Sequence, residues 1–466
     1  MTVVTRFAPS PTGYLHIGSL RTVLYNYLFA KKQNGKFMLR IEDTDRTRYV
    51  EGSIENLLQV LASVGLIADE GPNNPGDKGP YLQSERLPIY RKYVEELIEK
   101  KHAYYCFCSS QRLDALREEQ TSLGLPTKYD GKCRHLSDDE IDANLKAGKS
   151  YTVRLAVPKN KEVVFEDMIK GRISVHSKDI DDQVLLKSDG FPTYHMAVVV
   201  DDHLMEVTHV IRGDEWVPST PKHILLYEAF GWEIPVFTHL PLLLGKDKKK
   251  LSKRVGDVSV ESYLQKGFLP EALLNYISLL GWNPKTTEEI FSMSQLIERF
   301  ELTEVHKAGA VFDVERLEWF NSRYIINYDT DTLYNKLVTY LQRYDAAYLA
   351  HIKTFPEAYT KNILCELKTR LKRLEEFKDL SFFFYEDIGE PALGLLVNPK
   401  MKIESLSEVK KFLEFGLSVL TDKITSTDDI ENLKNTYISQ IADAGYKNGQ
   451  ILWPLRIALS NQEFSP

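Results

Sequence analysis

Apolar and polar positions along the chain alternate between two rhythms. Residues 2–7 form a short apolar, β-branched run, after which Pro9, Pro11 and Gly13 forbid regular structure. From Gly18 to about Lys32, Leu20, Val23, Leu24, Tyr27 and Leu28 recur at helical spacing, with Gly35 placed to end the helix, and residues 37–41 read as the next strand. Strand–helix–strand alternation at this pace predicts a parallel sheet with ligands at the carboxyl ends of its strands. Residues 104–187 break the rhythm and read as an insertion. Sheet patterning returns with a strand over 207–211, a helix over 222–230 and a strand over 237–244. Beyond Val258 the pattern turns helical, and beyond Tyr328 almost wholly so, with amphipathic segments over 333–344, 359–384 and 406–420. No repeat of fixed period and no low-complexity tract interrupts it.

Composition narrows the class. A chain of 466 residues exceeds one ordinary core, so roughly three to five domains or subdomains are expected. At 43% hydrophobic and 27% charged residues, disordered and collagen-like chains drop out. No uninterrupted apolar stretch of about 18 residues predicts a membrane span, and residues 1–6 lack the basic and apolar regions of a secretory signal. Four cysteines do not build a disulfide framework, which favours a reducing compartment and a cytoplasmic protein. The formal net charge of −7 gives a nucleic-acid partner no general support, so any RNA surface must be a local basic patch.

Two constellations carry phosphate chemistry. Pro9-Ser10-Pro11-Thr12-Gly13-Tyr14-Leu15-His16-Ile17-Gly18-Ser19 follows the first strand. Rigid prolines fix this loop, Gly18 admits close approach of backbone to ligand, and a helix N-terminus presents free N–H groups to an anion. His16 can donate to a phosphoryl oxygen as charge develops there. On its own, such a His-x-Gly is more often an incidental βα turn. The second constellation is the basic loop Gly245-Lys246-Asp247-Lys248-Lys249-Lys250-Leu251-Ser252-Lys253-Arg254, directly after an apolar strand. Charge runs are usually solvated faces, but Lys250 and Lys253 flank a serine, and mobile ammonium groups so placed can neutralise a pyrophosphate leaving group.

A third cluster, Cys106-Phe107-Cys108 and, 24 residues on, Cys133-Arg134-His135, offers three thiolates and an imidazole for a tetrahedral metal. Tyr129 is an alternative fourth ligand, and three buried free thiols are the bland reading. Cys365, alone in an apolar helical stretch, reads as core packing.

Together, His16-Ile17-Gly18-Ser19 and Lys250-Leu251-Ser252-Lys253-Arg254 resemble the two signatures of class I aminoacyl-tRNA synthetases. The flanking Arg6-Phe7-Ala8-Pro9-Ser10-Pro11-Thr12-Gly13, Arg40-Ile41-Glu42-Asp43-Thr44-Asp45-Arg46, Thr193-Tyr194-His195 and Val199-Val200-Asp201-Asp202-His203 resemble bacterial glutamyl-tRNA synthetases in particular. The likeness runs from residue 3 to about residue 320, then more diffusely to the end. Ser19 replaces the second histidine of the signature and takes no imidazole's role.

The resemblance implies an α/β fold: a Rossmann-type parallel-sheet catalytic domain with an inserted zinc-containing α+β domain, followed by all-helical C-terminal domains. It implies boundaries at 1–103 and 188–257 for the two catalytic halves, 104–187 for the insertion, 258–328 for a stem-contact domain and 329–466 for an anticodon-binding domain. The activity implied is ligation of L-glutamate to tRNA(Glu) through a glutamyl-adenylate that forms only with tRNA bound. His16, Lys250 and Lys253 would be catalytic, and His16, Gly18, Leu251 and Lys253 would hold ATP, which enters with Mg2+.

A glutamate site must pair the side-chain carboxylate with a cation, preferably arginine, and the α-amino group with an acid. The family pattern places Arg6, Ser10, Glu42, Tyr194 and Arg212 there, with Arg212 on the side-chain carboxylate, Arg6 supplementing it and Glu42 on the ammonium group. Val198 stands where some members carry asparagine, so that polar contact drops out. The zinc ligands implied are Cys106, Cys108, Cys133 and His135. Arg370, among Lys368, Lys372 and Arg373, is the candidate for reading an anticodon base, because arginine pairs bidentately with a base edge. A basic solvated face is the competing reading. The family typically continues with another helix beyond residues 463–466, so a longer natural chain is expected.

Other readings are a tRNA-modifying glutamyl-transfer paralogue, a glutaminyl-tRNA synthetase, a small-molecule nucleotidylyltransferase and a non-catalytic RNA-binding protein on the same scaffold. The about 140 residues beyond Tyr328 count against the first on domain arithmetic, and the third is usually much shorter and would not explain the glutamate pocket. A β-barrel pattern, expected of the second, is missing from the sequence, and loss of His16 or Lys253, expected of the fourth, has not occurred. A monomer binding ATP, glutamate and tRNA, away from membranes, is the expectation.

Overall fold

A computed structural model of the chain describes residues 2–45, 47–251, 259–423 and 430–463. Two compact units emerge, Met1–Leu264 with Leu269–Phe320, and Gln265–Phe268 with Asn321–Pro466.

The first unit is built on parallel strands. β1 (Val4–Phe7) and β2 (Lys36–Leu39) pair in parallel with Val4 opposite Lys36, joined through helix α1 (Ile17–Lys32). Helix α1 is helical for the reason its pattern suggests: Ile17, Leu20, Val23, Leu24 and Leu28 are fully buried along one stripe. Gly35 follows it where a Cβ would strike the Val3 carbonyl at 2.1 Å, so no other residue fits that turn. The insertion begins at β3 (Ala103–Cys106), which with β4 (Thr152–Leu155) and β7 (Val184–Leu186) makes a small antiparallel sheet.

The strands between them behave differently. The hairpin of β5 (Glu162–Asp167) and β6 (Gly171–His176) lies inside the predicted insertion, yet it joins the main sheet, with Asp167 opposite Phe237. Helix α2 (Tyr194–Leu204) then leads to β8 (His209–Gly213) and helix α3 (Thr220–Phe230) to β9 (Val236–Leu240), which pairs in parallel with β8. β1 lies beside β8, the Thr208 N–H donating to the Val4 carbonyl at 3.0 Å. The predicted strand over 237–244 divides in two: Leu243–Leu244 leaves this sheet and pairs with Ala310–Val311. Residues 269–320 belong to the same unit, where the Tyr25 hydroxyl donates to the Ser278 carbonyl at 3.0 Å.

The second unit is helical throughout its described residues, from Thr330–Tyr344 to Asn448–Ser460. One predicted segment, 359–384, is broken into Glu357–Leu367 and Glu376–Tyr385. Glu376 turns its carboxylate back to accept from the N–H groups of Lys372 (2.8 Å) and Arg373 (3.3 Å), so a local side-chain bond replaces the helix's own ladder there. Among the described residues no helix is long and apolar enough to cross a membrane.

Candidate active site

A cleft of about 930 Å³ opens beyond the carboxyl ends of β1, β2 and β8. It is lined by Arg6, Ser10, His16, Glu42, Tyr194 and Arg212, which reach it from the end of β1, the Pro-rich turn, the segment after β2, the first residue of α2 and the end of β8. Gly18, Lys250 and Leu251 are not among the lining residues. Lys253, with residues 252–258, lies outside the described residues, as does Arg46.

Arg212, only 5% exposed, sits where strand geometry aims it inward, opposite His239 in the β8–β9 register. Its guanidinium donates to four neutral groups. Nε reaches His239 Nε2 at 3.0 Å, Nη1 reaches the Tyr194 hydroxyl at 3.2 Å and His223 Nδ1 at 3.3 Å, and Nη2 reaches Thr220 Oγ1 at 2.8 Å. Among the described residues no carboxylate stands within ion-pair distance of it. Burial pushes its pKa down, and burial likewise lowers His223, His239 and His195, the last to about 4, so the imidazoles around it stay neutral. Trp216 packs on Tyr194 with ring centroids 4.3 Å apart. The result is a buried cation, held in place by dipoles, at a cleft wall. Such a site is costly until an anion arrives.

Arg6 is in a different state. Its Nε and Nη2 donate to the two oxygens of Asp202 at 3.0 and 3.1 Å, a bidentate pair with both partners buried. Arg40 extends the network, with Nη1 2.8 Å from Asp202, Nη2 3.0 Å from Glu42 and Nε 3.6 Å from Asp201. Asp201 accepts from Arg86 (2.7 Å), Gln83 (2.8 Å) and the Tyr90 hydroxyl (2.8 Å). Burial pushes the Glu42 carboxyl up to about 7 even though Arg40 draws it down. None of these partners of Arg6 follows from sequence spacing, since Asp202 is 196 residues away. The only sequence signal for them was two consecutive acids, Asp201-Asp202, on an otherwise apolar helix.

His16 caps α1. Its Nδ1 accepts from the Ser19 N–H at 3.2 Å and its Nε2 lies 3.1 Å from the Ser19 hydroxyl, so Ser19 orients the ring from one side. A Cβ on Gly18 would lie 3.2 Å from that ring. The far flank of the basic loop returns to this turn: the Val260 N–H donates to the Leu15 carbonyl at 2.9 Å and Ser259 bridges His16. Lys250 bridges Leu244 on the near flank, where it is exposed.

In the insertion, Cys106, Cys108 and Cys133 bring their sulfurs within 4.8 Å of one another. The fourth corner belongs to Tyr129, whose hydroxyl is 3.4 Å from both Cys106 and Cys108. His135, the fourth ligand expected from the sequence, is exposed and does not join the group, whereas the Tyr129 phenol, four residues before Cys133, lies beside the sulfurs. A tetrahedral zinc with bonds of about 2.3 Å to sulfur and about 2.0 Å to oxygen separates two thiolates by roughly 3.8 Å and a thiolate from an oxygen by roughly 3.5 Å. The Cys108–Cys133 distance of 3.5 Å and the two Tyr129 contacts fit that geometry. Burial opposes ionisation of Cys106, but the Tyr129 hydroxyl, the Cys108 N–H and Arg154 outweigh it and bring the thiol down to about 7.

In the second unit, Arg370 is exposed on the turn after Glu357–Leu367, beside the also exposed Lys372. Cys365 is exposed too, which removes it from the core where the pattern had put it.

Comparison with known proteins gives the family. Residues 2–319 match the family described as tRNA synthetases class I (E and Q), catalytic domain, and residues 332–466 match the anticodon binding domain family. The chain is 49% identical over 441 residues to a glutamate–tRNA ligase of Clostridioides difficile, covering 92% of this chain and 87% of that one. It is 44% identical over 476 residues to that of Alkaliphilus metalliredigens, covering 100% and 94%. A crystal structure of a glutamate tRNA ligase from Elizabethkingia meningosepticum, in complex with its amino acid, superposes with a TM-score of 0.88 at 34% identity, covering 100% of this chain and 95% of that one. The chain belongs to the class I tRNA synthetases, within their glutamate–tRNA ligase family.

Proposed function

We propose that this chain joins L-glutamate to tRNA(Glu) at the expense of ATP, and that Arg212 is the group that selects glutamate. The observation that carries this reading is the buried guanidinium at the cleft wall, with only neutral hydrogen-bond partners among the described residues, in a cleft that the buried carboxyl of Glu42 also lines. A glutamate bound with its side-chain carboxylate on Arg212 and its ammonium on Glu42 leaves the α-carboxylate directed toward the His16 turn.

There the α-carboxylate attacks the α-phosphorus of ATP, forming the mixed anhydride as pyrophosphate leaves. His16 donates to the phosphoryl oxygens, and Lys250 and Lys253 neutralise the leaving group. A terminal ribose hydroxyl of the tRNA then attacks the anhydride carbonyl and releases AMP. No side chain forms a covalent intermediate, so the protein's part is positioning and charge stabilisation. Magnesium, where bound with the triphosphate, supplies charge neutralisation. Zinc would be held by Cys106, Cys108, Cys133 and Tyr129 and would tie the insertion together. Ser10 contacts the amino acid, Gly18 and Leu251 flank the nucleotide, and Arg370 meets the anticodon. The five segments expected from the sequence remain the proposed division of labour, in a cytoplasmic monomer.

Aminoacylation of purified glutamate and glutamine tRNAs with each amino acid tests the reading directly. Charging of tRNA(Glu) with glutamate is the expected result, and failure of that reaction in the presence of ATP and magnesium overturns it. An anticodon-binding match over 332–466 argues against a paralogue confined to the catalytic unit.

A further inference from the structure

Behind Arg212 stands a second line of buried groups that no step above uses. His239, fully buried on β9, has Nδ1 2.7 Å from Asp167 Oδ2, at the end of β5. The other oxygen of Asp167 is committed elsewhere, accepting from the N–H groups of Ile169 (3.0 Å) and Lys170 (2.8 Å) at the turn into β6. An ionised carboxylate only accepts, so Nδ1 must carry the proton. That leaves Nε2 as a bare acceptor, 3.0 Å from Arg212 Nε and 3.2 Å from Thr220 Oγ1. Three adjacent strands of one sheet, β5, β9 and β8, thus supply the carboxylate, the imidazole and the guanidinium in order.

We propose that Asp167 and His239 are positioning residues for amino-acid selection: Asp167 fixes the His239 tautomer, and His239 aims Arg212 at the substrate's side-chain carboxylate while leaving its charge uncompensated. The inference rests on the assignment of Arg212 made above. The device solves a specific difficulty. A carboxylate placed directly against Arg212 would orient it equally well but would occupy the charge the substrate needs, as Asp202 does for Arg6. Inserting a neutral imidazole keeps the orientation and moves the anion one residue back. It also explains why the β5–β6 hairpin returns to the main sheet from within the inserted segment, since Asp167 could not otherwise reach β9.

Asp167→Asn separates this role from a structural one. Asparagine keeps an oxygen for the two turn N–H groups and presents its NH2 to His239 Nδ1. The imidazole must then carry its proton on Nε2, where it meets the Arg212 Nε–H donor to donor. The KM for glutamate should rise about tenfold to a hundredfold, the range for losing a hydrogen bond to a charged group, while the KM for ATP changes less than about twofold. Nitrogen NMR of the histidine side chains should show Nε2 as the unprotonated nitrogen of His239 in the wild-type protein and Nδ1 in the variant.

The wild-type spectrum stands even where the variant folds poorly, and a protonated Nε2 there overturns the proposal. Arg212→Ala, measured alongside, keeps the two readings apart. If it abolishes the preference for glutamate over glutamine while Asp167→Asn leaves the glutamate KM unchanged, the relay is wrong and the role of Arg212 stands. If Arg212→Ala leaves the preference intact, the assignment of Arg212 fails and the relay falls with it.

Discussion

Arg40 and Arg212 are both buried in the catalytic unit, yet their surroundings are opposite in kind. Arg40 is ringed by Glu42, Asp201 and Asp202, and these acids raise its pKa well beyond the ordinary value against the pull of burial. Arg212 is ringed by two histidines, a tyrosine and a threonine, and burial lowers its pKa. The first arrangement is complete without a ligand and its work is structural. The second is electrostatically unfinished, which suits a binding site. Arg6 stands between them, lining the cleft but paired bidentately with Asp202. Burial of an arginine therefore says little about its role until the charge of its partners is counted.

Stability gives the sharpest contrast. Arg40→Met leaves Asp201 and Asp202 buried with fewer counter-charges, and breaking a buried ion network from one side costs about 3–5 kcal/mol. Arg212→Met strands only neutral acceptors and removes an uncompensated charge, so its effect in urea unfolding should be smaller by about 2 kcal/mol or more. Equal losses would dissolve the distinction between the two groups.

The cysteine cluster extends the comparison to the insertion. Protein purified without added metal should carry about one zinc per chain by elemental analysis. Cys108→Ser should raise proteolysis of the insertion several-fold while the main sheet stays folded. A metal-free preparation that is equally stable and active would reduce the three thiols to core packing. Replacing Tyr129 by phenylalanine should weaken zinc retention, whereas His135→Ala should not.

A smaller effect concerns Glu42, which pairs with Arg40 and also lines the cleft. Its folded pKa near 7 is above the ordinary 4.5, so below pH 7 the free enzyme holds it mainly protonated and unable to pair with the substrate ammonium. Glutamate affinity should thus fall by up to about tenfold per pH unit below 7, because one proton must leave before binding. Above pH 7 the dependence should flatten. Calorimetry in buffers of different ionisation enthalpy should register a proton released on binding near pH 6.5, and Glu42→Gln should abolish both signals. A pH-independent affinity from 6 to 8 would place the ammonium elsewhere.

Much of this was legible in the chain. The strand–helix alternation of residues 2–41 depends on local periodicity, and the observed β1, α1 and β2 fall within two residues of the pattern. Of the six cleft residues, Arg6, Ser10, His16, Glu42 and Tyr194 stood in quoted motifs and Arg212 came from the family pattern, and all six line one cleft. What the chain hid was non-local. Asp167 reaches His239 across 72 residues, and nothing near either residue announces the partner. The hairpin Glu162–Asp167 to Gly171–His176 has strand periodicity, but which sheet it joins is decided by β9, far downstream. Spacing favoured His135 over Tyr129, whereas the turn after Tyr129 brings the phenol among the sulfurs. The break at 368–375 came from a competing side-chain bond that hydrophobic periodicity does not register.

The central claim is that glutamate is chosen by a cation kept free of any anionic partner. Glutamine nearly matches glutamate in size, so shape cannot exclude it, and a site built around a charge discriminates by about 10⁴-fold or more in kcat/KM. The measurement is kcat/KM for glutamate and for glutamine on one tRNA, in the wild-type protein, Arg212→Ala and Arg6→Ala. The account predicts that Arg212→Ala cuts activity with glutamate far more than activity with glutamine and collapses the ratio, while Arg6→Ala narrows it only slightly. A ratio that holds constant in Arg212→Ala, with both activities falling together, would contradict it.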